Sequence, residues 1–267
     1  MFNIEAIVEY LLPYALKFEE LYNYDIPKDK DLMLLKEKGI ISFEQCQELQ
    51  QMESSFEKNA ELKLMVSSGL NKMDSIQDRK LVYKWIVSTW GGINSINVEK
   101  LNSSVEDFLK KRAEGANYSK IESRASVTKV LSFIDPEKYI IYDTRVAYSI
   151  NWILLKTNAS EMFFPMSEGR NSKLTGVNIE TLIRLSRASE YLNNLEDKKV
   201  MSKVDKKVFI EDALAYPMLC DLISDINDKL WNDDRRKYPF YTEMLLFAIA
   251  DNIIFEDILK TCCISFA

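Results

Sequence analysis

Histidine is absent from the 267 residues. That absence removes Ser-His-Asp and Cys-His nucleophile systems, His-ligated zinc and imidazole proton shuttles. Acid–base chemistry in this chain must therefore run on carboxylates, lysines or tyrosines. Glycine and proline are scarce, at 7 and 6, which disfavours a β-sandwich or barrel with its frequent turns. The four cysteines, Cys46, Cys220, Cys262 and Cys263, include no CxxC pair. That excludes a zinc ribbon, an iron–sulfur cluster and a secreted disulfide framework, and idle thiols in a reducing cytosol are expected. No apolar run reaches the ~18 residues of a membrane span. The opening MFNIEAIVEYLL has no basic stretch ahead of an uninterrupted apolar one, so no signal peptide is expected. The expectation is a soluble, cytoplasmic protein that carries no cofactor.

What is present reads as helix. A composition 47% apolar and 28% charged is that of a globular domain. The net charge of −6 argues against indiscriminate coating of nucleic acid. Residues 78–145 nevertheless hold 12 Lys/Arg against 9 Asp/Glu, a modestly basic centre that permits a local phosphate contact. Ile4, Ile7, Val8, Leu11 and Leu12 recur at helical spacing, with a break expected at Pro13. Ser42 followed by Gln45 is a helix-start signature. The periodicity predicts helices over 42–66, 78–90, 103–113, 126–134, 144–156, 178–192, 206–228 and 240–260, and Gly91-Gly92 reads as a C-cap. Only Lys138–Tyr142 looks extended, after a turn at Asp135-Pro136. The fold class is all-α, divided into an N-terminal helical region (residues 1–75), a central unit 76–156 and C-terminal helices 157–267 that complete the core. Residues 157–177 are irregular, and 196–207 form a solvated connector. The apolar segment Tyr238–Ile254 is a core helix, with a homodimer face as its alternative. Glu243 and Asp251 lie on one side of it without a third ligand, so no metal is expected.

The informative stretch runs from Ser126 to Trp152. A short helix carrying Lys129 is followed by the Pro turn and the apolar extended segment, and Asp143 then opens the next helix as an N-cap would. Ala125-Ser-Val-Thr-Lys129-Val and Tyr142-Asp143-Thr-Arg145-Val146-Ala147 resemble two segments of the helix-hairpin-helix DNA glycosylases, in particular the 8-oxoguanine glycosylase branch. The first matches that family's Gly-Val-Gly-Thr-Lys-Val hairpin, the second its aspartate segment. About 30 residues match well, and a looser likeness extends over about 75 residues from Trp85 onward. Ala125 and Val127 stand where the family has hairpin glycines, and Arg145 stands where it has histidine. The cysteine spacing excludes the iron–sulfur branch.

The resemblance implies a helix-hairpin-helix glycosylase-like fold, with two helical lobes around a cleft, acting on duplex DNA with a flipped modified base. Lys129 would be the nucleophile and Asp143 the carboxylate that stabilises positive charge on the sugar. Lys120, Arg124, Ser126, Thr128 and Arg145 are the candidate DNA contacts. Trp90, Tyr142, Tyr148 and Trp152 are the candidates for a base pocket or a wedge in the duplex. Excision would be followed by strand cleavage if the lysine forms a Schiff base. The missing hairpin glycines and the acidic balance favour an alternative, a catalytically inactive helical module on the same scaffold that binds DNA or a protein.

Overall fold

The computed structural model describes residues 2–115, 120–167, 171–202 and 206–262, so Cys263 lies outside the described residues. In chain order the helices are α1 (Ile4–Ala15), α2 (Phe18–Leu21), α3 (Met33–Glu37), α4 (Phe43–Gln51), α5 (Ser55–Lys72), α6 (Ile76–Trp85), α7 (Val98–Glu114) and α8 (Arg124–Ile134). They continue with α9 (Thr144–Lys156), α10 (Ser172–Gly176), α11 (Ile179–Ser186), α12 (Ala188–Tyr191), α13 (Asp212–Leu230), α14 (Phe240–Ile249) and α15 (Phe255–Thr261). Among the described residues there is no strand, and a single isolated bridge joins Phe163 to Phe209. The all-helical class expected from the sequence is observed. No helix among the described residues is long and apolar enough to cross a membrane.

Caps explain most of the boundaries. Ser42 and Gln45 form the reciprocal capping box that opens α4, as their spacing predicts. The expected helix 42–66 is two helices, because Ser54 caps a second start by accepting from the Glu57 N–H. The helix expected over 178–192 is also divided, into α11 and α12. Pro13 does not break α1 and sits within it, the helix ending two residues later at Ala15. The helices expected over 78–90 and 240–260 each include a π-helical turn, Ile86–Trp90 and Ala250–Ile254. Helix α8 begins at Arg124, so Ala125 and Val127 are helical residues. The left-handed backbone falls instead on Ser123, at φ 51°.

Hydrophobic contact joins all three sequence regions, since one continuous cluster runs from Ile7 to Ile258. Helix α1 packs on α13, α5 and α7 pack on α8, and α14 packs on both α9 and α13. That packing buries Phe240, Leu245, Leu246 and Ile249 of α14. The apolar surface considered for a dimer face is therefore core, where each large side chain contributes roughly 1.5–3 kcal/mol of burial.

The extended residues before Asp143 lack a strand partner, and side chains serve their backbone instead. Tyr216 donates its hydroxyl to the Ile140 carbonyl (3.0 Å), the Ile141 N–H donates to Glu243 Oε2 (3.4 Å), and the Tyr142 N–H donates to Thr128 Oγ1 (3.0 Å). Three helices thereby hold this buried backbone, as its unpaired polar groups require. They fix where Asp143 emerges.

Candidate active site

Asp143 is the N-cap of α9, its Oδ1 accepting from the Val146 N–H at 3.0 Å. Lys129 projects from α8 and is 8% exposed. Its stem lies against Gly91, at the end of the π-helical turn in which the Gly91 N–H donates to the Ile86 carbonyl (2.9 Å). A Cβ at Gly91 would stand 2.8 Å from Lys129 Cδ and 2.9 Å from Cε. Lys129 and Asp143 line one cavity of about 250 Å³, together with Trp90, Gly91 and Arg145. Sites for drug-sized ligands begin near ~300 Å³, so this space suits one ring system.

Two charged residues without an expected role belong to the same cavity. Lys63 of α5 and Glu243 of α14 both line it and pair at 3.6 Å, with side chains 3% and 4% exposed. Lys63 also donates to Ser132 Oγ (3.4 Å), which in turn donates to the Lys129 carbonyl (2.9 Å). Its ammonium stands over the rings of Phe240 (4.9 Å), Phe133 (5.3 Å) and Trp90 (5.9 Å). Burial lowers the affinity of Lys63 for its proton, and the neighbouring Lys129 charge adds to this against the pull of Glu243. Burial pushes the Glu243 carboxyl up to about 7, with Asp143 adding to the shift and Lys63 opposing it. Desolvation wins over pairing at both groups.

Asn59 completes the wall. Its Nδ2 donates to the carbonyls of Tyr24 (2.6 Å) and Ser55 (2.9 Å), and its Oδ1 accepts from Trp90 Nε1 (3.0 Å). Tyr22, Tyr24, Met244 and Phe247 supply apolar surface, and Asp25 is exposed. The cavity thus combines an amine, carboxylates and aromatic faces. Compared with known protein families, curated proteins and solved structures, the chain finds no match.

The other expected site residues lie elsewhere or are engaged internally. Arg145 lines the cavity, but its Nε donates to Asp251 Oδ2 (2.7 Å) and its guanidinium stacks over Phe247 (4.6 Å). Arg124 is buried against Asp212 (2.9 Å) and over the Tyr142 ring (4.6 Å). Lys120 is exposed and faces the same Asp212 at 3.6 Å. Ser126 and Thr128 are buried within α8, and Thr128 donates to the Arg124 carbonyl while accepting from Tyr142.

Of the four aromatics expected in a base pocket, Trp90 alone lines the cavity. Tyr142, Tyr148 and Trp152 are core residues, 0%, 0% and 2% exposed. Their polar atoms are satisfied by the Pro165 carbonyl, the Val177 carbonyl and Asp257. The helix carrying Tyr148 and Trp152 is buried on several sides, which a short sequence window does not reveal. Among the described residues no group of three His, Cys, Asp or Glu could hold a metal.

A signal for the missed residues does exist. Phe56, Asn59, Ala60, Leu62, Lys63, Val66, Ser67 and Leu70 are the buried residues of α5. Polar Asn59, Lys63 and Ser67 interrupt an otherwise apolar stripe, and a buried polar group is the informative exception. Glu243 is likewise a lone charge in the apolar run FYTEMLLFAI.

Proposed function

We propose that the chain is a DNA glycosylase that excises a modified base through a lysine nucleophile, with strand cleavage following from the Schiff base. The observation that carries this reading is the shared cavity of Lys129 and Asp143, with Trp90 as an aromatic wall. Its size suits a base extruded from the duplex.

In this reading Lys129 Nζ gives up a proton to water and its freed lone pair attacks the sugar C1′. The glycosidic bond breaks and its electrons leave with the base. Asp143, held by its capping bond, stabilises the positive charge that builds on the sugar. The nitrogen lone pair then expels the ring oxygen, which takes a proton from water, and loss of a C2′ proton to water from the resulting iminium drives out the 3′ phosphate.

Borohydride trapping on duplexes carrying oxidised, alkylated or hydroxymethylated bases tests the proposal. A covalent adduct is expected with the wild-type protein and none with Lys129→Gln. Base release surviving Asp143→Asn at the wild-type rate removes the role given to Asp143.

A second reading, an inactive binding module, is favoured by the internal pairing of Arg124 with Asp212 and of Arg145 with Asp251. Salt separates the two. A protein gripping several phosphates loses affinity steeply between 50 and 200 mM salt, by about 10³-fold or more for six contacts, whereas a protein-binding module has no DNA affinity to lose.

A further inference from the structure

A buried Lys–Glu pair lining an aromatic cavity is an unfavourable use of core space. Apolar residues of similar volume commonly stabilise a fold as well or better. Perturbed ionisable groups converging in a cavity mark functional sites. Lys63 and Glu243 meet that description beside Lys129 and Asp143. Resting on the glycosylase reading above, we propose that Glu243 is the proton donor to the departing base and that Lys63 positions it.

The geometry separates the roles of the two carboxylates. Asp143 is turned toward the α9 terminus as an acceptor from Val146. Glu243 has Oε2 near the Ile141 N–H and Lys63 Nζ, inside the cavity and 3% exposed. The groups that act on it come from every side: Lys63 of α5, Lys129 of α8, Asp143 at the start of α9, Tyr22 after α2 and Tyr216 of α13. Burial together with the Asp143 charge lifts its carboxyl to about 7, a value suited to proton transfer near neutral pH.

The step balances with the residues present and water. As the glycosidic bond breaks, its electron pair goes to the base, and the Glu243 O–H delivers its proton to the same base, leaving a carboxylate. The Lys129 lone pair forms the new N–C1′ bond. The nitrogen, now positively charged, passes its proton to water, and Glu243 takes one back from water, which restores the acid. No reactant besides water is needed.

Glu243→Gln tests this, because it keeps volume and hydrogen bonding while removing the proton. Two substrates are compared in single turnover. One is the modified-base duplex that the wild type processes fastest; the other is a duplex with a preformed abasic site, from which the base has already gone. Glu243→Gln is expected to slow base release by about 100-fold or more, while borohydride trapping on the abasic duplex stays within about twofold of wild type. Base release at the wild-type rate overturns the assignment, and so does an equal loss on both substrates with an unchanged melting curve.

Should the variant fail to fold, the wild-type pH profile carries the test. The ratio of base release to abasic trapping is expected to fall about tenfold per pH unit above roughly 7, and a ratio flat to pH 9 overturns the role. A wild-type protein that neither releases base nor is trapped defeats the underlying glycosylase reading, which is a different outcome from either of these.

Discussion

The methylenes of Lys129 occupy the space where Gly91 has no side chain. A Cβ placed there would also stand 2.9 Å from the Val87 carbonyl oxygen, a backbone atom with little freedom to move. Gly91→Ala is therefore expected to push the lysine stem aside. Overpacking of this kind costs typically 1–3 kcal/mol. Thermal unfolding is expected to fall by that amount, and borohydride trapping by more than the stability loss accounts for. Trapping at the wild-type level with an unchanged melt removes the claim that Gly91 shapes the lysine's place.

Asp143 joins a structural and a chemical role in one carboxyl group, and two substitutions separate them. Asp143→Asn keeps an oxygen to accept from the Val146 N–H, so stability is expected to change little. Asp143→Ala loses the cap and about 1 kcal/mol with it. Both variants are expected to lose base release, because neither supplies negative charge at the sugar. Calorimetry alongside single-turnover assays measures the two effects. A stable, fully active Asp143→Ala would remove both roles.

The Arg124–Asp212 pair belongs to stability. Burial pushes the Asp212 carboxyl up, but hydrogen bonds and charge from Arg124 and Lys206 outweigh it and hold the group below the usual carboxylate range. A folded-state value below the unfolded one means that this stabilisation is complete above the ordinary carboxylate range. It is lost as pH falls through the depressed value. Asp212→Ala leaves Arg124, 8% exposed in its side chain, without its main partner. Roughly 3 kcal/mol is expected to be lost at pH 7, with the difference from wild type shrinking toward acid pH. A difference independent of pH between 7 and 3 would show that the carboxylate charge is not the cause.

Legibility of the fold follows the range of the interactions. The Ser42–Gln45 box and the Asp143 cap act within three residues, so their spacing alone exposes them. Helix α9, Thr144–Lys156, coincides with its expected range because an N-cap sets its start. The second cap at Ser54 is hidden in a continuous helical pattern, and the π-helical turn Ile86–Trp90 has no local signature. For the site, Lys129 and Asp143 are visible as a pair close in sequence. The aromatics are not separable in this way, because Trp90 and Tyr148 are chemically alike in a linear reading. Only the packing of α9 against α11 and α14 decides that Tyr148 is enclosed.

Local chemistry in the sequence determined an all-helical chain without imidazole, the residues that begin several helices, and an amine and a carboxylate on either side of one Pro turn. Tertiary structure alone decided that these two line one small cavity, that Gly91 makes room for the amine, and that Lys63 and Glu243 meet in the same cavity from helices far apart in the chain. The physical reason is that caps and turns are settled between near neighbours, whereas a cavity and the desolvation of its charges exist only where distant helices pack.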